Sequence, residues 1–292
     1  MLTEFAPAKI NLYLHITGRR EDGYHVLDSL VAFAGVGDEV RLKSAKSFDF
    51  VIEGPRAAEL KNEPAENNLV VRAAQGLAGL LGKPLDVKLT LVKNLPIASG
   101  IGGGSSDAAA ALRALAAHWQ LAPNDPRILE AARAQGEDTP LCLAAESCYM
   151  GAGAEASRAL AYADIVLVNP GKPLSTAEVY KTYREGNLSF SPASRIDSAV
   201  ADAADLAARL RKRRNDLTAP AIKLMPEIGK VLGAIEAAGA LLARMSGSGA
   251  TCFGIYPDRS AARAAASTLA KNKGWWVTQT HIPCERDRRK RF

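Results

Sequence analysis

The chain has 292 residues, of which 48% are hydrophobic and 23% are charged, a balance typical of a soluble globular protein large enough for two domains. No apolar stretch approaches the ~18 residues that a membrane-spanning helix requires, and the first residues lack the basic start of a signal peptide. The net charge of +6 arises from two short segments, RLRKRR at 209–214 and ERDRRKRF at 285–292.

Because the basic residues are confined to these two segments, we interpret them as a solvated helix end and a chain terminus. A nucleic-acid-binding module is the less favoured alternative, since neither segment interleaves aromatic residues for base stacking. The four cysteines, Cys142, Cys148, Cys252 and Cys284, show no metal-ligand spacing. We expect them to be reduced thiols of a cytoplasmic protein.

The first half of the chain contains two alternating stretches, KINLYLHI and LDVKLTLV (85–92), which predict half-buried strands. An apolar stripe at helical spacing then predicts a helix from about Ser106 to Gln120. Ser105 or Ser106 is the expected N-cap of this helix. Asp107 is expected in its first turn, where a negative charge suits the helix dipole.

The patterning weakens in GAGAEASRALAYA, and we place a domain boundary there, which gives domains 1–160 and 161–292. The second domain begins with the strand DIVLVNPG and ends with the strand WWVTQTHIP. Between them we predict helices at 193–214 and 226–238, the strand–turn–strand LLARMSGSGATCFGIY, and a helix at 258–272. Strands and helices mixed without regular alternation favour the α+β class.

The segment NLPIASGIGGGSSDAAAALRALA (94–116) places a cluster of glycines and serines immediately before a helix. Its spacing matches neither the Walker A loop nor the dinucleotide pattern G-x-G-x-x-G. A nest of main-chain N–H groups at a helix N-terminus nevertheless suits a polyphosphate. The alternative is a tight strand-to-helix turn that binds nothing.

Four blocks in this sequence resemble the GHMP kinases. PIASGIGGGSSDAA (96–109) resembles their ATP-binding signature, with one extra glycine, and ARMSGSGATCFGIY (243–256) resembles their third motif, a glycine turn behind the phosphates. APAKINLYLHITGRREDGYHVLDSL (6–30) and RRNDLTAPAIKLMPEI (213–228) resemble one branch of the family. The first of these two blocks discriminates between branches, because sibling kinases lack the GRR-x-DGYH run.

The resemblance spans nearly the whole chain and implies a two-domain fold. It implies an N-terminal α+β domain and a ferredoxin-like C-terminal domain, with ATP and the acceptor in the cleft between them. The implied reaction transfers the γ-phosphate of ATP to the 2-hydroxyl of a cytidyl diphosphate ester, in the non-mevalonate route to isoprenoid precursors. A sibling kinase acting on another small alcohol is the alternative.

The resemblance also implies the sites for ATP and Mg²⁺. Magnesium keeps several waters and bridges phosphates, so it needs few protein ligands, and Ser106 is the one candidate ligand. The implied ATP-binding residues are Pro96, Ile97, Ala98, Ser99, Gly100, Ile101, Gly102, Gly103, Gly104, Ser105 and Ser106.

Lys9 and Asp138 are the catalytic residues that the resemblance implies, with the aspartate near the acceptor hydroxyl and the lysine beside it. A neighbouring cation keeps a carboxylate ionised, so the pair is expected to orient the hydroxyl more than to remove its proton early. Without the resemblance, the favoured interpretation of Asp138 in GEDTP is a helix-start residue, and that of Lys9 is a solvated strand residue. Glu137 and Thr139 depart from the usual Gly-Ala-Asp-Val-Pro of the branch, and we expect Glu137 to point outward.

The resemblance also implies the residues of the acceptor site, most of them in the block at 6–30. Tyr24 is expected to stack on the cytosine, His25 to hydrogen-bond its edge, and Asn11 to make a further polar contact. Tyr180 is our alignment for a second stacking aromatic, although Tyr183 lies three residues on. The expected partners are therefore small molecules, with no nucleic acid and no membrane, and the expected state is a monomer or a weak homodimer.

Overall fold

The structure is a computed structural model that describes residues 1–21, 23–151, 155–156, 160–186, 189–196 and 198–284, with residues 155–156 described for the backbone alone. The chain forms two compact units, and neither is one consecutive stretch. Unit 1 comprises Met1–Lys9, Val36–Ile97 and Gly102–Ala145, and unit 2 comprises Ile10–Gly35, Ala98–Ile101 and Glu146–Phe292. We predicted a boundary near residue 160 between two domains, each a single consecutive stretch of chain, and that boundary stays a prediction.

Two long strands, β1 (Leu2–Arg19) and β2 (His25–Ser44), pair with each other and contribute residues to both units. In unit 1 the second half of β2 pairs antiparallel with β4 (Val87–Val92), which pairs parallel with β3 (Asp49–Glu53). The side chains of Val87, Leu89 and Leu91 are buried on one face of β4, as the alternating sequence predicts. The helices of unit 1 are α1 (Leu69–Leu81), α2 (Gly103–His118), α3 (Pro126–Arg133) and α4 (Asp138–Ala144).

Helix α2 confirms the predicted helix but starts three residues earlier, and the predicted serine cap is wrong. Its N-cap is Gly102, which has φ +62° and provides no side-chain hydrogen bond. A glycine adopts this left-handed conformation readily, so the chain turns directly into the helix without a capping serine. Asp107 is the fifth residue of the helix and is buried, so it lies beyond the first turn in which we expected it.

Unit 2 contains a four-stranded antiparallel sheet in the order β10-β7-β9-β8. With helices after its first and third strands, this sheet has the ferredoxin-like arrangement, which confirms the expected fold class. The strands are β7 (Ala163–Asn169), β8 (Leu242–Met245), β9 (Cys252–Tyr256) and β10 (Trp276–Ile282). The helices are α5 (Thr176–Glu185), α6 (Ala203–Arg211), α7 (Thr218–Leu224), α8 (Glu227–Ala237) and α9 (Arg259–Leu269).

The helix predicted at 193–214 is wrong in length, because only α6 forms there. Its N-cap is Asp202, whose carboxylate accepts a hydrogen bond from the amide of Asp205 at 2.8 Å. An aspartate in this position starts a helix, so the residues before it stay outside. The end of α6 falls in the predicted basic segment, whose arginines are bound within unit 2. Arg209 contacts Asp205, Arg214 contacts Asp216, and Arg213 donates to backbone carbonyls.

Unit 2 also contains the second part of β1 and the first part of β2. This part of β2 pairs with β5 (Cys148–Met150), which pairs in turn with β6 (Glu155–Ala156). All four cysteines are thiols: Cys142, Cys148 and Cys252 are buried and Cys284 is half-buried. Across the described residues, no helix is both long enough and apolar enough to cross a membrane. The basic segment 285–292 lies outside the described residues.

Candidate active site

Lys9 and Asp138 meet in unit 1 although 129 residues separate them. The Nζ atom of Lys9 donates to Oδ1 of Asp138 at 2.8 Å, and 6% of the lysine side chain and 34% of the aspartate side chain are exposed. A buried ammonium requires such a partner. Asp138 is the first residue of α4, whereas the preceding Glu137 is exposed. The pair is therefore a partly exposed carboxylate held by a buried cation.

Side chains of α2 hold β1, which carries Lys9, and α4, which carries Asp138. The Oγ atom of Ser106 donates to the carbonyl of Pro7 at 2.7 Å and lies 3.4 Å from Sγ of Cys142. Arg113 donates to Glu4 at 2.8 Å and to the carbonyl of Cys142 at 2.9 Å. We did not predict the role of Arg113. An arginine within an alanine-rich buried helix is the signal that could have revealed it.

Cys142 lies close to the pair but is not a nucleophile at neutral pH. Burial raises the pKa of its thiol to about 12, so the thiol stays protonated. The hydroxyl proton of Ser106 is committed to Pro7, and the side chain is 1% exposed. Only its acceptor lone pairs remain for a metal ion, and its role as a ligand stays a prediction.

The glycine segment opens α2 with accessible main-chain amides. The first N–H groups of a helix have no partner within the helix, which here concerns Gly103, Gly104 and Ser105. Gly104 is exposed, while Gly102, Gly103 and Ser105 are half-buried. A Cβ atom on Gly102 would lie 2.9 Å from Cβ of Lys9. The amides that suit an anion and the side chain of Lys9 are therefore neighbours within unit 1.

The middle of the glycine segment, Ala98–Ile101, belongs to unit 2 and packs against the turn between β8 and β9. The amide of Thr251 donates to the carbonyl of Ser99 at 3.0 Å, and Oγ of Ser246 donates to the carbonyl of Gly100 at 3.0 Å. Gly100 has φ +73°, and a Cβ atom there would lie 2.4 Å from the carbonyl oxygen of Gly249. Two glycine-rich motifs thus approach at main-chain distance, as the resemblance implies. Of the remaining segment, Pro96 and Ile101 are buried, Ile97 is half-buried and Ala98 is exposed.

The predicted aromatic residues are placed in unit 2. The rings of His25 and Tyr180 stack with centroids 5.1 Å apart, and Tyr183 contacts His25 edge-on at 5.6 Å. Tyr24 is 65% exposed, Tyr180 is half-buried, and Tyr183 is 3% exposed. Of the two tyrosines of α5, Tyr180 is thus the one with ring surface open to a ligand.

Asn11 is 2% exposed and its side chain is already engaged. Its Nδ2 atom donates to Oγ of Ser29 at 2.8 Å, and its main-chain amide donates to Oγ of Ser246 at 3.1 Å. A Cβ atom on Gly247 would lie 3.4 Å from Oδ1 of Asn11. Asn11 therefore supports the β8–β9 turn, and its contact with an acceptor stays a prediction.

Known proteins resemble this chain along its length. Residues 68–146 match the GHMP kinases N terminal domain and residues 197–274 the GHMP kinases C terminal domain. The chain is 46% identical over 282 residues to the 4-diphosphocytidyl-2-C-methyl-D-erythritol kinase of Paramagnetospirillum magneticum, which covers 95% of this chain and 97% of that relative. It is 48% identical over 288 residues to the enzyme of the same name from Cereibacter sphaeroides, with 97% and 99% covered.

Solved structures of kinases also resemble this chain. A crystal structure of a 4-(cytidine 5'-diphospho)-2C-methyl-D-erythritol kinase aligns with a TM-score of 0.79 and 32% identity, over 97% of this chain and 100% of that one. A homoserine kinase from Cytophaga hutchinsonii aligns with a TM-score of 0.68 and 17% identity, over 97% of this chain and 94% of that one. At that lower identity, the likeness concerns the fold.

Proposed function

This chain belongs to the GHMP kinase family, and we propose that it transfers the γ-phosphate of ATP to the 2-hydroxyl of 4-diphosphocytidyl-2-C-methyl-D-erythritol, on the non-mevalonate route to isoprenoid precursors. Family membership makes it a phosphotransferase that acts on a small molecule. The observation that carries the proposal is the contact of 2.8 Å between Lys9 and Asp138, next to the glycine residues that open α2.

We propose that Asp138 receives the proton of the acceptor hydroxyl. The Oδ1 atom of its carboxylate is held by Lys9, which leaves Oδ2 to accept a hydrogen bond from the hydroxyl. Phosphoryl transfer passes through a loose transition state, so the proton need leave only late. A carboxylate kept ionised by a lysine can orient the hydroxyl throughout and take the proton at that stage.

The amides of Gly103, Gly104 and Ser105 suit the phosphates of ATP, and the helix dipole favours the same negative charge. Within the described ranges, no three acidic, histidine or cysteine side chains form a metal-binding cluster. We propose that Ser106, whose hydroxyl oxygen keeps acceptor lone pairs beyond its bond to Pro7, would be the protein ligand of a magnesium ion. When bound, such an ion neutralises charge on the phosphate oxygens.

For the acceptor, we propose that Tyr24 and Tyr180 stack on the cytosine and that His25 hydrogen-bonds its edge. Burial, followed by the nearby Arg184 and Arg19, lowers the pKa of His25. The imidazole is therefore neutral at physiological pH, with one donor and one acceptor nitrogen. Cytosine offers complementary donors and acceptors on its edge.

Replacing Tyr24 by alanine tests the acceptor. Stacking of one base on an aromatic ring contributes ~1–3 kcal/mol, so the acceptor KM should rise by a factor between roughly 5 and 160. The KM for ATP should stay unchanged. Tyr162→Ala is the matched control, because Tyr162 is also a partly exposed tyrosine of unit 2, 41% exposed and stacked on His281. Equal changes in both KM values, or turnover of another alcohol in place of the cytidyl ester, would contradict the proposal.

The acceptor KM should also depend on pH in one direction. Because the pKa of His25 is lowered, the imidazole stays neutral from about pH 8 to pH 6.5, and the acceptor KM should be constant there. Below that range His25 becomes charged, loses its acceptor nitrogen, and the KM should rise. Initial rates at varied acceptor and saturating ATP measure this. A KM that rises toward high pH would contradict it.

We further propose a cytoplasmic enzyme that works as a monomer or a weak homodimer and binds no nucleic acid. The buried thiols of Cys142 and Cys252 suit a reducing compartment. The arginines of segment 209–214 support the second point, because Arg209 and Arg214 already contact carboxylates of their own unit.

A further inference from the structure

Three ionisable side chains are buried together in unit 1, next to the first residue of α2, and burial raises the pKa of one of them, Asp107, to about 8. The Nζ atom of Lys93 lies 2.5 Å from Oδ2 of Asp38 and 2.7 Å from Oδ2 of Asp107. The exposed fractions of these side chains are 4% for the lysine and 0% and 3% for the two aspartates. We call Lys93, Asp38 and Asp107 the buried triad. The roles proposed above for ATP and the acceptor leave it unused.

Stability does not explain this arrangement. Removing charges from water is unfavourable, and apolar residues often replace a buried ion pair without loss of stability. The Oδ1 atom of Asp107 is also buried and, among the described residues, has no hydrogen-bond partner. Burial alone would lower the pKa of Lys93, but the carboxylates of Asp107 and Asp38 raise it, so the lysine is charged. The burial of these three groups together therefore needs an explanation other than stability.

The triad joins the two ends of the glycine segment. Asp38 lies on β2, and its Oδ1 atom accepts hydrogen bonds from the amides of Asn94 at 2.5 Å and Leu95 at 2.8 Å, where the chain enters the segment. Asp107 lies on α2, where the chain leaves it. The ammonium of Lys93 bridges the two carboxylates and so connects the entering chain to the leaving helix.

Lys93 is itself held by its main chain, and it touches the helix start. Its amide donates to the carbonyl of Glu53 at 2.7 Å, and its carbonyl accepts from the amide of Arg56 at 3.0 Å. A Cβ atom on Gly103 would lie 3.2 Å from Nζ of Lys93 and 3.8 Å from Oδ2 of Asp38. The triad thus occupies the space in which a side chain at position 103 would lie.

We propose that Lys93, Asp38 and Asp107 are positioning residues for ATP, which hold the ends of the glycine segment so that the amides of Gly103, Gly104 and Ser105 converge on the phosphates. The proposal rests on the proposed function of that segment. None of the three side chains needs to touch ATP, because each acts through the main chain that it fixes. Misplacing those amides weakens ATP use and leaves acceptor binding unchanged.

Two variants test the triad. Lys93→Met removes the bridge but leaves two buried carboxyl groups without their cation, and it is expected to destabilise the fold. The double variant Lys93→Met/Asp107→Leu removes the ammonium together with one of its two partners, while Asp38 keeps the amides of Asn94 and Leu95 as donors, and it is expected to fold. In it, kcat/KM for ATP should fall roughly 10²-fold, as for a displacement of ~1 Å at a reacting group. The KM for the acceptor should match that of the wild type, and the shift in Tm on adding ADP should shrink while the shift on adding CDP stays.

Lys88→Met is the matched control, because Lys88 lies on β4, the strand that Lys93 directly follows, and pairs with Asp49 at the surface, where 43% and 53% of the side chains are exposed. It should behave like the wild type. A folded double variant with normal kcat/KM for ATP and a normal ADP shift, or one in which the KM values for both substrates rise equally, would overturn the proposal. The ADP shift requires no turnover. If the wild type fails to phosphorylate the cytidyl ester, the proposed function is wrong. The shift in Tm on adding ADP still tests the proposal for the triad in that case.

Discussion

Replacing Asp138 by asparagine should lower kcat at least ~100-fold, the lower limit for losing a positioned base, and leave the affinity for ATP nearly unchanged. The asparagine oxygen can still accept the hydrogen bond that Lys9 donates to Oδ1 at 2.8 Å. What the variant loses is the negative oxygen that receives the proton of the acceptor hydroxyl. Steady-state kinetics with both substrates, together with the shift in Tm caused by ADP, measure the two properties separately.

Glu137→Gln is the control for this variant, because it removes the adjacent carboxylate, which is exposed. It alters the net charge of the helix start by the same amount and should keep the turnover of the wild type. Near-normal turnover in Asp138→Asn, or an equal loss in Glu137→Gln, would remove Asp138 from the mechanism.

Gly102→Ala should cause the second largest loss of turnover, because the added methyl group would displace the side chain of Lys9, the proposed catalytic lysine. The new Cβ atom would lie 2.9 Å from Cβ and 3.0 Å from Cε of Lys9. The lysine side chain must move, and a displacement of ~1 Å at a reacting group lowers the rate by roughly 10²-fold. Position 102 also has φ +62°, so any residue other than glycine adds strain of ~1–2 kcal/mol.

Gly82→Ala separates these two effects. Gly82 has φ +61°, and a Cβ atom there would meet nothing within 4 Å. This control carries the same backbone strain without any contact, so its free energy of unfolding should fall while kcat stays at the value of the wild type. Urea unfolding and kcat, measured on both variants, test the pair. If both variants lose stability equally and both keep full kcat, the close approach of Gly102 to Lys9 has no role in catalysis.

Local patterns in the sequence predicted the elements that lie near their own signals. The alternation in LDVKLTLV predicted β4, and the apolar stripe after the glycines predicted α2, because both depend on neighbours along the chain. The predicted N-cap of α2 and the predicted length of α6 were wrong. A glycine with φ +62° and a capping aspartate at 202 decide where those helices begin, and serines or weak periodicity nearby obscured both.

Composition and spacing could not reveal contacts between distant residues. Lys9 and Asp138 are 129 residues apart, and without the family resemblance each reads as an ordinary surface residue. The buried triad left no pattern at all, since a lysine at the end of a strand and an aspartate in a helix are common separately. Only the fold brings Asp38, which is 55 residues before Lys93, to the same ammonium.

The interleaved units also determine the order in which a newly made chain can fold. Unit 1 ends at Ala145, so Lys9 and Asp138 can come together about halfway through synthesis. Residues 10–35 leave the ribosome early, yet their unit is completed only by the chain after Glu146, and Tyr180 reaches His25 later still. A nascent chain therefore completes the part in which we propose phosphate transfer before it completes the part that we propose selects the acceptor.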